Sequence, residues 1–98
     1  MTDEGTTVTR EKVEQYLAMP ASARAKATPQ TNNVEDATRL NSMMRMCDDY
    51  TADARHFLEQ GDFVRAFGAI NYAHAWIDAA VRIGFMDGHG DDRLFTLP

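Results

Sequence analysis

GDFVRAFGAINYAHAWIDAAVRIG, residues 61–84, decides the fold of this chain. Gly61 suits the left-handed residue that follows a helix, and Asp62 suits the cap that starts the next one. From Phe63 the apolar residues recur at helical spacing: Phe63, Ala66, Phe67, Ile70, Ala73, Ile77, Ala80 and Val81. A second arc holds Tyr72, Trp76, Ala79 and Ile83. At about 100° per residue the two arcs join to cover roughly 200° of the helix. One antiparallel partner buries less than that. This helix must therefore meet the preceding helix and something more: the N-terminal helix, the C-terminal tail, or a second copy of the chain.

Upstream, Asn33 is a helix cap with Glu35 and Asp36 in the first turn, where the helix dipole favours acids. Ala37, Leu40, Met43, Met44, Cys47, Tyr50, Ala54, Phe57 and Leu58 then step by threes and fours. The pattern predicts a helix over 34–60, roughly 40 Å long. The short Gly61-Asp62 turn makes it antiparallel to a third helix over 63–84. A first helix is expected over 10–19, capped by Thr9, stapled by Val8 and Val13, and stopped by Pro20. Residues 1–8 read as a disordered tail and residues 20–33 as a linker. Residues 86–98 read as an irregular tail whose Leu94-Phe95-Thr96-Leu97 cluster folds back or protrudes. The expected fold is all-α: a three-helix up-and-down bundle over residues 9–85, built on a long antiparallel helical hairpin. Its helices should cross near 20°, to order of magnitude.

Composition narrows the function classes. The net charge of −5 argues against nucleic acid as a default partner, since phosphate binding needs a basic face. Ten Asp outnumber five Glu, and eight Arg outnumber two Lys, a bias resembling the surfaces of proteins from salt-loving archaea. The single Cys47 leaves no internal disulfide and no thiolate-rich metal site. The first 18 residues carry no apolar block, and no run is long enough to span a membrane. A cytoplasmic protein is the expectation.

Asn71, His74, Asp78 and Arg82 form one polar stripe along the third helix. Asp78 and Arg82 have the acid-first i, i+4 spacing of a helical ion pair. The plain reading is a solvated edge. The sharper one is a ligand site, with Asp78 and Arg82 supplying charge and His74 carrying a proton. No nucleophile stands beside a base, so no catalytic residue is assigned. His74 and Asp78 lack a third ligand at metal spacing, and Asp87-x-His89-x-Asp91 lacks the glycine and closing glutamate of a calcium loop. No metal or cofactor is expected. Asp48, Asp49 and Asp53 make an acidic patch beside Arg45. A solvated face accounts for it, and a site for a cation or a basic partner is the alternative.

Residues 50–85, YTADARHFLEQGDFVRAFGAINYAHAWIDAAVRIGF, resemble the archaeal family known as domain of unknown function 357. The resemblance rests on Tyr50, Asp53, Ala54, Phe57 and Leu58, on Gly61-Asp62 and Ala66, and on Asn71-Tyr72-Ala73-His74 with Trp76-Ile77-Asp78-Ala79. It implies an all-α up-and-down bundle, a mainly archaeal source and no established activity. No catalytic residue carries over. Two functional expectations follow. One is a non-catalytic interaction or scaffold module that binds a protein partner or a second copy through Tyr72 and Trp76. The other is a ligand-binding protein or enzyme using Asn71, His74, Asp78 and Arg82, which requires a concave pocket at that stripe.

Overall fold

Three capped helices start where their caps predict them. The structure, a computed structural model, describes residues 7–98. Helix α1 spans Arg10–Lys26, α2 spans Val34–Glu59 and α3 spans Phe63–Arg82. The Thr9 hydroxyl accepts from the Lys12 amide, the Asn33 side chain from the Asp36 amide, and the Asp62 carboxylate from the Arg65 amide. Val8 packs against the cluster that holds Val13, closing the expected staple. Most of residues 1–8, read as a disordered tail, lies outside the described residues.

Two glycines end helices in the same way. Gly61 has φ +75° after α2, and Gly84 has φ +87° after α3. At each, two crossed amide bonds satisfy the last carbonyls: Gly61 N to Leu58 O and Asp62 N to Phe57 O, then Gly84 N to Val81 O and Phe85 N to Ala80 O. The first of these turns the chain directly from α2 into α3, so the two helices lie antiparallel.

Pro20 does not stop α1, contrary to the expected end at residue 19. Proline lacks an amide hydrogen and crowds the carbonyl four residues back, a penalty of about 3 kcal/mol in a helix interior. Here the ring is fully buried. Ala21, Ala23 and Ala25 beyond it favour helix, and Ala23 lies in the core. Arg24 also forks onto Asp48 of α2 through bonds of 2.8 and 2.9 Å. These anchors hold the last two turns on α2.

The presumed linker and tail are also more ordered than their composition suggests. Thr28–Pro29 (β1) pairs antiparallel with Met86–Asp87 (β2). The Gln30 amide donates to Phe85 O at 2.9 Å, and its side chain donates to Gly84 O and Met86 O. This two-residue ladder closes the open end of the hairpin without altering the all-α class.

The core lies in two clusters along the bundle. Near the hairpin turn, Val13, Ala54, Ala66 and Ile70 are buried beneath Tyr16, Leu17, Phe57, Phe63 and Phe67. Near the other end, Ala23, Leu40, Met44, Cys47, Ile77, Val81, Met86 and Phe95 pack together. Helix α3 contacts both other helices. One flank of it is covered by α1 at Phe67, whose ring meets Tyr16 edge-on at 5.1 Å, and by the tail at Phe95 further along. The first apolar arc read from residues 61–84 is thus shared among α2, α1 and the tail, whereas Tyr72, Ala79 and Ile83 of the second arc stay exposed.

Candidate functional site

The polar stripe and the aromatic arc leave the core on opposite flanks of α3, because they sit on opposite sides of the Ile70, Ala73 and Ile77 face. Their fates differ.

On the stripe, three groups hold the backbone of the tail. His74 Nε2 lies 2.7 Å from Leu94 O, Asp78 Oδ1 accepts from the Thr96 amide at 2.5 Å, and Arg82 Nη1 donates to Leu97 O at 2.5 Å. The one-turn spacing of the three side chains matches an extended segment laid along the helix. Between these bonds Phe95 is buried to 4% exposure, with Leu94 and Leu97 packed on the same cluster. A carbonyl oxygen only accepts, so His74 Nε2 carries the hydrogen, while buried Nδ1 has no hydrogen-bond partner among the described residues. The expected Asp78–Arg82 ion pair does not form among the described residues; each side chain turns to the tail instead. Asn71 is exposed and stands apart from the set.

The tail is itself pinned at its start. The Asp91 carboxylate accepts from the Leu94 amide at 3.0 Å and the Arg93 amide at 3.1 Å, and Lys26 approaches to 3.7 Å. The Leu94 amide foremost, then Arg93 and Lys26, holds the Asp91 carboxyl below its ordinary range. A Cβ on Gly88 would stand 2.8 Å from Phe95 Cδ2 and 3.1 Å from Val81 Cγ1, so the tail closes tightly on a bare backbone. In the loop before it, Asp87 accepts from the His89 amide, and His89 Nε2 meets the Thr28 hydroxyl at 2.9 Å. Asp87, His89 and Asp91 thus each serve a local contact. Among the described residues no three His, Cys, Asp or Glu side chains gather as a metal site.

On the other flank, Tyr72 is 49% exposed and Trp76 is partly buried against the lower cluster. Tyr72 meets Tyr50 edge-on at 4.4 Å and Trp76 edge-on at 6.3 Å. Beside this aromatic row runs an open groove of about 350 Å³, lined by Tyr50, Asp53 and Phe57 of α2 and by Arg65, Gly68, Ala69 and Tyr72 of α3. A Cβ added to Gly68 would meet nothing within 4 Å, so that glycine widens the groove rather than fitting a neighbour of its own chain.

Of these lining residues, the sequence marked Tyr72 as a partner-binding candidate and Asp53 as part of an acidic patch with a cation or basic-partner site as its alternative reading. The others follow from a signal that was present. Tyr50 and Tyr72 are each eleven residues from Gly61, Asp53 and Ala69 each eight, and Phe57 and Arg65 each four. An antiparallel hairpin folded at Gly61 brings such mirror positions to one level.

The acidic patch resolves unevenly. Asp48 binds Arg24, and Asp49 lies 3.9 Å from Arg45, while Asp53 has no ion-pair partner among the described residues. Cys47 is buried, and burial first of all pushes its thiol up, so it is a poor nucleophile. No helix of the described residues is long and apolar enough to cross a membrane.

No curated protein and no solved structure matches this chain. The model of one family, Protein of unknown function (DUF357), matches residues 15–86, a stretch that contains every groove residue and the whole polar stripe but stops short of Leu94–Leu97. That match covers most of α1 and all of α2 and α3, well over half the chain, and the chain belongs to this family.

Proposed function

We propose that this protein is a non-catalytic interaction module whose contact surface is the aromatic flank of α3, centred on Tyr72 with Trp76 at its edge. One observation supports this reading above the others: Tyr72 remains half exposed beside an open groove, although every other large ring of α3 is at least partly covered. Exposed aromatics beside a groove are the usual anchors of protein interfaces. The acidic balance of the chain disfavours nucleic acid as the partner. A cytoplasmic setting, rich in salt and archaeal, agrees with the Asp and Arg bias and is part of the same proposal.

The competing reading, a ligand site or enzyme on the stripe, finds little support. Three of its four side chains are spent on the tail backbone. The test compares solution mass over a concentration series for the native chain, Tyr72→Ala and Trp76→Ala. Association that weakens in both variants supports self-contact through this flank. A monomer at every concentration removes the self-association form and leaves a different protein as the partner. Photo-crosslinking from position 72, with position 71 as control, then decides whether the flank is a contact surface at all.

A further inference from the structure

The groove beside Tyr72 combines ring faces with an unanswered negative charge. Tyr50 and Tyr72 stand at 75° to one another, which gives the groove an aromatic corner. Asp53 lies one helical turn along α2 from Tyr50 and lines the same groove, with no cation paired to it among the described residues. Arg65 also lines the groove but lies within 3.5 Å of Asp62. It stands seven residues along α3 from Tyr72, about 10 Å away at helical rise. Arg65 sits at the turn end beside Asp62, one helical turn beyond the level of Asp53 and forming no ion pair with it, whereas Asp53 is next to the rings.

Two ring faces elsewhere carry a cation of the same chain. The Arg10 guanidinium sits over the Phe63 ring at 5.1 Å, and the Lys12 ammonium over the Phe67 ring at 5.6 Å. The Tyr50–Tyr72 corner has no such cover among the described residues. Gly68 adds room, and a glycine inside a helix is disfavoured against alanine yet fills no contact here.

We infer that the groove of Tyr50, Asp53, Gly68 and Tyr72 is a binding site for a basic side chain, lysine or arginine, presented by a segment of another protein. Asp53 meets the charge, the tyrosine faces meet the cation and its alkyl stem, and Gly68 admits the approach. The net charge of −5 draws such a segment in from a distance. This inference rests on the reading of the aromatic flank as a contact surface and assigns its partner's chemistry.

The experiment follows backbone amide and tyrosine ring resonances of the full chain during titration with hexalysine, with hexaarginine, and with an uncharged leucine–glutamine hexapeptide. A dilution series of the protein alone runs alongside. The expected result is a shift at Tyr50, Asp53, Gly68 and Tyr72 with the basic peptides. Asp53→Asn and Tyr72→Leu should each weaken that binding by about three- to tenfold, with the rest of the spectrum unchanged. Shifts spread over Asp48 and Asp49, or binding indifferent to both variants, would mean diffuse attraction to an acidic surface and would overturn the inference. If the uncharged peptide or the protein's own second copy marks the groove and the basic peptides do not, the basic partner is wrong but the contact surface stands. If neither the peptides nor a second copy marks the groove and position 72 crosslinks to no protein, both are wrong.

Discussion

The two flanks of α3 part company in the folded chain. Along one, a histidine, an aspartate and an arginine stand a turn apart, as a solvated edge or a ligand site would have them. Along the other, tyrosine and tryptophan offer a surface for a partner. In the folded chain the polar flank is occupied by the tail, and the aromatic flank holds the open groove. The cause is geometric. An extended segment presents alternating amides and carbonyls, which polar side chains at one-turn spacing can satisfy. Its Phe95 meanwhile fills the lower core. The lesson is that a polar stripe next to a loose apolar segment is a docking rail before it is an active site.

If the tail is a structural part of the polar flank, Phe95→Ala should do the most damage. Deleting a buried ring leaves a cavity and should remove about 3–5 kcal/mol, read as a fall in the denaturant midpoint. A loss below 1 kcal/mol would mean that the tail is a superficial strap and would break the contrast. Gly88→Ala comes next. Its methyl group must displace the Phe95 ring from the 2.8 Å approach, so a destabilisation of about 1–3 kcal/mol is expected. Asp78→Ala should remove about 1–1.5 kcal/mol by freeing the Thr96 amide. Amide exchange at Thr96 should rise in that variant more than exchange at Tyr72.

Acid probes the same flank more gently. The Asp91 carboxyl is held low in the fold, so its contribution is present above the unfolded carboxylate value, about 3.9, and is lost as pH falls through the lower folded value. Protection of the Leu94 and Phe95 amides should decline over that window, and Asp91→Asn should flatten the decline. The smallest effect belongs to the aromatic flank. Tyr72→Ala should change stability by about 0.5 kcal/mol or less, because half of the side chain already faces water. A loss above 2 kcal/mol would make Tyr72 a structural ring and would undo its assignment to a contact surface.

Much of this architecture was legible in the residues. Thr9, Asn33 and Asp62 cap where short polar side chains beside an apolar repeat should cap, and Gly61 turns the hairpin because the backbone there needs a positive φ. The first apolar arc of α3 meets α1 and the tail as well as α2, whereas most of the second arc, which made the arc look too wide for one neighbour, stays exposed. Pro20 misled because its local penalty is fixed, whereas the burial and the Arg24–Asp48 fork that outweigh it depend on a distant segment. The tail contacts of the stripe were illegible for a related reason. Its partners are backbone groups of residues 94–97, and a backbone group leaves no mark in a sequence. The groove was partly readable: Tyr72 and Asp53 stood out separately, and their meeting across the hairpin emerges only from reflection through Gly61.

That reflection has a consequence for how sequences of this kind can vary in length. One residue added between Gln60 and Asp62 would break the crossed amide bonds that close the Gly61 turn, and with them the mirror register that sets Tyr50 beside Tyr72 and Asp53 at its level. The same insertion at 31–33, ahead of the Asn33 cap, would only lengthen a loop. Deletions and insertions compatible with an intact corner should therefore collect at the open end of the hairpin and spare its bend.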